Sequence, residues 1–319
     1  MQVFRALDQV PASYGPTVIA IGNFDGVHCG HRWIIENARN CAGKLGAKCI
    51  AVTFDPHPVR VLRPEAAPLL ITTMPERLRL LAETGLDATV VLPFTREFSR
   101  MPAEIFARDV LKQSLHAVEV HEGDSFRFGY QARAGINELI ELGRQYGFTV
   151  AAHHTRTMRG LPVSSSQIRQ RVAAGDMTAP RALLGRPFSI LSTPARGRGI
   201  GTEQTVPTIN LAPYTELLPA IGVYITRMKI GDGPDATTFN AVTNAGNRPT
   251  FGEPSFAVES HLLDFHPVAL TENTPLELTF LKRIREEKRF SSPAALKTQI
   301  LRDVACAIRY FHLMQILSR

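Results

Sequence analysis

What the sequence lacks narrows it first. No apolar run approaches the roughly 20 residues that a membrane-crossing helix needs, so no such span is expected. The first residues, Met1-Gln2-Val3-Phe4-Arg5-Ala6-Leu7-Asp8, have no long apolar core and no small-residue cleavage site, so no secretory signal is expected. Cysteine is scarce and scattered. Cys29, Cys41, Cys49 and Cys306 form no CxxC pair and show no metal-ligand spacing. Reduced thiols in a cytoplasm are the simple reading. No internal repeat or low-complexity tract is evident. The net charge of +7 suits nucleic acid, a membrane surface or a small polyanion such as ATP. The arginines are spread rather than blocked, and helix-turn-helix, zinc and aromatic RNA-binding signatures are missing. The expected partners are therefore small molecules, with neither nucleic acid nor membrane; the sequence says nothing of oligomeric state.

What is there reads as two domains, the prior for 319 residues. Strand-like runs at 17–21, 49–54, 88–92, 117–121 and 148–153 alternate with helix-like runs at 32–45, 75–84, 102–115 and 134–146. Repeated βα alternation predicts a doubly wound parallel sheet of Rossmann-like type, with ligands at the carboxyl ends of the strands. The alternation stops near Gly185-Arg186-Pro187, so the expected domains are 1–186 and 187–319. Beyond Pro187, short alternating runs at 188–191, 222–229, 238–242, 256–263 and 276–283 predict a small antiparallel barrel or sandwich, with the barrel as the expected fold. A last helix over 293–313 carries Leu296, Ile300, Val304, Ile308 and Phe311 as its expected apolar stripe.

The first half is organised around Gly22-Asn23-Phe24-Asp25-Gly26-Val27-His28-Cys29-Gly30-His31. An apolar strand leads in and a helical pattern leads out to Gly46. A helix start presents unpaired backbone N–H groups to an anion. His28 and His31, three residues apart, share one face of the first turn. This layout suits transfer of a nucleotidyl group to a phosphate acceptor, which needs alignment and charge stabilisation more than a covalent nucleophile. Ser165 and Ser166 read alone as helix-start residues, with Ser164 and Gln167 forming a capping box. Asn23 and Asp25 suit either a turn or a contact to loop or ribose.

The decapeptide Gly22–His31 resembles the signature of the FMN adenylyltransferase (FAD synthetase) module of prokaryotic bifunctional riboflavin kinase/FAD synthetases. Thr53-Phe54-Asp55-Pro56-His57-Pro58, Ser165-Ser166-Gln167-Ile168-Arg169 and Leu184-Gly185-Arg186-Pro187-Phe188 resemble further elements of that family, in order. The resemblance implies that Gly22, Asn23, Phe24, Asp25, His28, His31, Ser165, Ser166 and Arg169 bind ATP. It also implies flavin or nucleotide contacts at Pro56, Pro58, Ser125, Phe126 and Phe128. Ser125 stands where the family carries Asp or Asn, and a hydroxyl replaces only part of that hydrogen bonding.

In the second half, Arg196-Gly197-Arg198-Gly199-Ile200-Gly201 is glycine-rich and basic, suited either to covering phosphates or to a flexible hairpin. Pro207-Thr208-Ile209-Asn210 resembles the PTAN motif of riboflavin kinases, and Val258-Glu259-Ser260-His261 a later kinase segment. The resemblance implies kinase ATP contacts at Gly197, Gly199, Gly201, Thr208 and Asn210. Mg²⁺ would sit at Thr208 and Asn210, and Glu259 would be the catalytic base. Flavin contacts are implied at Arg285 and Phe290. The segment Thr202–Val206 makes the glycine-rich loop longer than the family's.

The expected activity is therefore double. Riboflavin and ATP give FMN, then FMN and a second ATP give FAD and pyrophosphate. One alternative is an FAD synthetase whose kinase half is weak or regulatory because of the longer loop. Another is a flavin-responsive nucleic-acid binder, suggested only by the basic charge. An adenylyltransferase for some other phosphate acceptor would leave Pro207–Asn210 and Glu259 unexplained.

Overall fold

The computed structural model describes residues 1–195, 208–248 and 255–317. Two compact units make up the chain, Met1–Gln167 and Ile168–Arg319.

In the first unit, β1 (Gln2–Phe4), β2 (Thr17–Ile21), β3 (Lys48–Asp55), β4 (Ala88–Pro93), β5 (Ala117–Gly123) and β6 (Thr149–His153) form one sheet. The order is β1-β4-β3-β2-β5-β6 and every pairing is parallel. β2 is buried at every residue, as a parallel strand covered on both faces must be. Helices α1 (Cys29–Leu45), α2 (Pro58–Leu62), α3 (Met74–Ala82), α4 (Ala103–Ile105) and α5 (Ile136–Tyr146) connect the strands. Ile35, Ala38 and Ala42 of α1, with Leu80 and Leu81 of α3, pack on Val18, Ala20 and Ala51. On the opposite face, Phe106, Val110, Leu111 and Leu139 pack on Ile19, Ile21, Val52 and Val90. The sheet is thus doubly wound, as the alternation predicts.

Two details differ from the expectation. The run 102–115 is not one regular helix; after α4 it widens into a π-helical stretch, Phe106–Ser114, where the Leu115 N–H donates to the Val110 carbonyl. β1 was not expected, because three residues are too few to show a period.

The strand order places the site. The chain moves from β2 to β3 to β4 in one direction, then returns to the other side of β2 for β5 and β6. The topological switch point therefore lies between β2 and β5, and ligands of such sheets bind there, outside the carboxyl ends. Gly22–His28 leaves β2 at that point.

A short hairpin, β7 (Thr157–Met158) and β8 (Leu161–Pro162), precedes α6 (Ser165–Ala173). The Gln167 N–H donates to Ser164 Oγ at 3.2 Å, one half of the expected capping box. α7 (Thr178–Leu184) follows.

The second unit contains β9 (Phe188–Ser192), β10 (Thr208–Asn210), β11 (Gly222–Ile230), β12 (Thr237–Arg248), β13 (Ser255–Leu262), β14 (Leu276–Arg285) and α8 (Pro293–Leu317). The strands pair antiparallel in the order β10-β13-β12-β11-β14-β9 and curl into a half-barrel. The segments after β9 and β10 meet: the Ala195 N–H donates to the Asn210 carbonyl and the Ala212 N–H to the Thr193 carbonyl, each at 2.8 Å. Inside the curl, the buried hydroxyls of Thr226, Thr243 and Ser260 satisfy one another in a line, at 2.7 and 2.8 Å. The outer face carries Val223, Ile225 and Val242 under Ala307 and Phe311 of α8.

The expected stripe of α8 needs correction. Leu296, Ile300 and Ile308 are 42, 42 and 56% exposed, while Asp303, Ala307 and Phe311 are buried, with Val304 beside them. The reason is a salt bridge. Arg285 donates to the Asp303 carboxylate from Nε and Nη2, at 3.0 and 2.8 Å to Oδ2, and Gln299 adds a third donor. That fork ties the last strand to the last helix and turns a polar residue inward. Asp303→Ala is expected to destabilise this unit by about 2–4 kcal/mol, since it strands a largely buried guanidinium. Urea unfolding measures it; an unchanged midpoint would show that the ion pair contributes nothing.

Candidate active sites

The β2–α1 loop is held in a conformation its residues do not favour. Phe24 and Val27 have φ of +48° and +38°, in the left-handed region that a β-branched valine rarely adopts. Such strain persists only where surrounding bonds over-determine it. They do so here. Both carboxylate oxygens of Asp25 accept from the Ile71 N–H at 3.0 Å, and Oδ1 also accepts from the Thr72 N–H at 3.1 Å. The Gly26 N–H donates to Thr72 Oγ1 and the Ser165 hydroxyl to the Asp25 carbonyl. Arg77 Nη2 lies 3.6 Å from Asp25 Oδ1, and both side chains are 1% exposed. Asp25 thus anchors the loop, and Ser165 closes it from the start of α6. The turn role is the one these bonds display for Asp25.

The loop delivers two stacked imidazoles. His28 is the N-cap of α1 and its Nδ1 accepts from the His31 N–H at 3.2 Å. That bond leaves Nδ1 unprotonated and puts the ring proton of neutral His28 on Nε2. The His31 ring lies parallel to it, 3.5 Å between centroids and 16° between planes. Burial, His28 and Arg77 together push the His31 pKa well below its ordinary value. His31 is therefore neutral near pH 7, and the pair carries at most one positive charge. Two hydrogen-bond donors, rather than two cations, face the helix start.

Gly30 makes the stack possible, because a Cβ there would sit 3.2 Å from the His28 ring. Gly30→Ala is expected to slow FAD formation from FMN about 10- to 100-fold and to leave FMN formation unchanged, since a small misplacement at a reacting centre has an effect of that size. A rate within twofold of wild type would mean the stack has no catalytic weight.

The other first-unit candidates gather less closely. Gly22 donates to the Val52 carbonyl, and Thr53 Oγ1 to the Asn23 carbonyl, which joins the ends of β2 and β3. Pro56 is exposed and Pro58 opens α2, whose N-cap is buried His57, accepting from the Val59 N–H. Ser125 is exposed. Phe126 and Phe128 stack at 5.3 Å, and Phe128 packs on Phe106 in the core. Core packing is the role Phe128 displays. Ser166 and Arg169 lie on α6, Arg169 one turn beyond Ser165.

Arg77, Ile71 and Thr72 were not expected, because nothing local in a segment 46 residues away marks it as the partner of Asp25. Glu122 was also missed. It is buried at the end of β5, and that burial pushes its pKa well above the ordinary carboxylate value. A raised folded-state pKa favours the fold below the unfolded value and loses that favour as pH rises through the folded one. Glu122→Gln is therefore expected to gain stability over wild type at pH 8 and to gain little at pH 4, by urea unfolding. An equal effect at both pH values would contradict it.

In the second unit, β-sheet register builds the site. Asn210 on β10 lies directly opposite Glu259 on β13, and Glu259 opposite Asn244 on β12. Thr208 faces His261 one step along the same row. Directly opposed residues share a face, about 5 Å apart at Cβ. Hydroxyl, two amides, carboxylate and imidazole thus occupy one side of three adjacent strands, the side that α8 partly covers. Asn244 and His261 extend the expected set. Burial pushes the His261 pKa below its usual value, which keeps it neutral. Gly197, Gly199 and Gly201 lie outside the described residues. The Arg285 guanidinium grips Asp303 and stands 5.7 Å from the Phe290 ring centroid, so both residues belong to the β14–α8 junction.

A helix start at the switch point of one unit, and a row of polar side chains on a half-barrel in the other, are the two candidate sites, of a kind that suits an enzyme of phosphate transfer. Comparison with known proteins makes this specific. Residues 10–167 match the FAD synthetase family and residues 184–311 the riboflavin kinase family. The chain belongs to the bifunctional riboflavin kinase/FMN adenylyltransferases. It is 35% identical to the protein of that name from Pseudomonas fluorescens, over 96% of this chain and 97% of the relative. Identity to the Escherichia coli K12 counterpart is 33%, over 93% of each. A solved structure titled as a macrolide-efflux protein from Streptococcus pneumoniae has the same fold, with a TM-score of 0.83 over 96% of this chain and 97% of that one, at 24% identity. Among the described residues, no helix is long and apolar enough to cross a membrane.

Proposed function

We propose that residues 1–186 carry out adenylyl transfer to FMN and residues 187–319 phosphoryl transfer to riboflavin, so that the chain makes FAD from riboflavin and two ATP. The observation that carries the first assignment is the stacked His28/His31 pair on the start of α1.

In the adenylyl step, an FMN phosphate oxygen attacks the α-phosphorus of ATP, and the bond to the bridging oxygen breaks to release pyrophosphate. The acceptor is already an anion, so no base is needed. The Nε2–H groups of His28 and His31 donate to phosphate oxygens as charge builds, and the α1 backbone N–H groups add to them. Ser166 and Arg169 on α6 hold the leaving side. A neutral His31 suits this task because its bond strengthens as negative charge develops.

In the phosphoryl step, Glu259 takes the proton of the riboflavin 5′-hydroxyl as the γ-phosphoryl group moves. Thr208 and Asn210 offer a hydroxyl and an amide oxygen, donors that fit Mg²⁺. They would hold it there, and the ion would supply neutralisation of phosphate charge. Gly197, Gly199 and Gly201 would cover the nucleotide. A cytoplasmic location accords with four free cysteines.

Incubation with riboflavin, ATP and Mg²⁺ followed by chromatographic separation of flavins tests the reading. FMN and then FAD are expected. FAD from supplied FMN, with almost none from riboflavin, would favour a regulatory kinase unit instead.

A further inference from the structure

The face of β5 that lies under α1 carries an anomaly. The adjacent strand β2, and β3 beyond it, present Val18, Ala20 and Ala51 to the helix. At the positions paired with Val18 and Ala20, β5 presents Glu119 and His121. A carboxylate and an imidazole under a helix are costly to bury where apolar side chains would pack as well. They are met by Cys41, which projects from α1. The thiol, carboxylate and imidazole donor atoms all lie within 4.8 Å of one another, a grouping that stands alone among the described residues. His121 Nε2 is 2.9 Å from Glu119 Oε1.

A second set of contacts orients this cluster. His121 Nδ1 lies 3.0 Å from His153 Nε2, and the Thr149 hydroxyl donates to Glu119 Oε2 at 2.8 Å. With the His121 proton on Nδ1 and donated to His153, Nε2 keeps its lone pair toward Cys41 and Glu119. Metal-binding histidines are held in this way, by a hydrogen bond from the ring nitrogen that does not bind. Trp33 packs edge-on against His153, 4.8 Å between centroids, and fixes that ring in turn.

We propose that Cys41, Glu119 and His121 form a zinc-type divalent metal site that fastens α1 to β5, separate from both phosphate-transfer sites. Sulfur, nitrogen and carboxylate oxygen are the ligand types Zn²⁺ takes. In a tetrahedral site the nitrogen and oxygen ligands stand about 3.3 Å apart and sulfur about 3.6 Å from either; His121 Nε2 and Glu119 Oε1, at 2.9 Å, need only open slightly, and the Cys41 sulfur, within 4.8 Å of both, would close on them. Glu119 and Cys41 are half-buried, which leaves room for a water as fourth ligand. Cysteine spacing along the chain gives no hint of the site, because its ligands come from one helix and a distant strand.

The test uses full-length protein stripped with a chelator and free of nucleotide. Titration with Zn²⁺ against a chromophoric competitor is expected to show one equivalent bound. Co²⁺ is expected to give a thiolate-to-metal charge-transfer band that is lost in Cys41→Ser and kept in Cys306→Ser. His153→Phe is expected to keep the band and weaken binding about 10- to 100-fold. Glu119→Gln preserves shape and is expected to weaken Zn²⁺ binding at least about 10-fold, which covers the case of a Cys41 variant that does not fold. No band in the wild type, a band that survives in Cys41→Ser, or unchanged affinity in Glu119→Gln overturns the proposal.

Discussion

Glu259→Ala is expected to lower FMN formation from riboflavin by about 10²- to 10⁴-fold, the range that general-base catalysis contributes. Conversion of supplied FMN to FAD is expected to stay within about twofold of wild type, because sites that share no residues respond independently. Register is the reason for the size of the loss. Glu259 lies between Asn210 and Asn244 on adjacent strands, and alanine removes the one carboxylate of that row. Glu259→Gln keeps the shape and the hydrogen bonding but cannot take a proton, so its loss should be nearly as large. A Gln variant with near-normal rate would reduce Glu259 to a positioning residue. Separate rates for riboflavin and for FMN measure both effects.

The reverse pattern is expected for His28→Ala combined with His31→Ala. FMN-to-FAD conversion should fall by about 10³-fold or more, while FMN formation persists. One hydrogen-bond donor to a developing anion is worth about 10²–10³ in rate, and two that act together are not additive. The two rings do act together: they stack at 3.5 Å, and His28 Nδ1 takes the His31 N–H. Loss of His28 therefore removes a donor, the helix N-cap and the support for its neighbour. His31→Asn keeps a donor group and should recover part of the loss. Since His31 is already neutral near pH 7, the rate should show no fall from its deprotonation as pH rises from 6 to 8. A fall in that range with a midpoint near 6.5, absent in His31→Asn, would show that a charged His31 is needed.

The sequence made the first site legible as a local object and hid what holds it. Strand, glycine turn and helix start follow one another in Thr17–Leu45, so periodicity and Gly46 suffice to read them. The strain at Phe24 and Val27, and its restraint by Ile71, Thr72 and Arg77, depend on chain segments brought together only by the fold. The barrel half behaves similarly. Alternation marks the strands, but the pairing of Asn210 with Glu259 is a matter of register across distant strands. α8 shows how a periodic reading goes astray. Of the expected stripe Leu296, Ile300, Val304, Ile308 and Phe311, Phe311 is buried and Val304 packs beside it, but the row Asp303, Ala307 and Phe311 recurs at helical spacing too. Only the Arg285 fork makes the row that starts with an aspartate the buried one.

The most direct measurement follows both flavins over time in one reaction of full-length protein with riboflavin, ATP and Mg²⁺, for the wild type, Glu259→Ala and the double histidine variant. The division of labour predicts FMN then FAD in the wild type, neither product in Glu259→Ala unless FMN is supplied, and FMN that accumulates without FAD in the double histidine variant. Loss of both products in either folded variant, regardless of the flavin supplied, would contradict it.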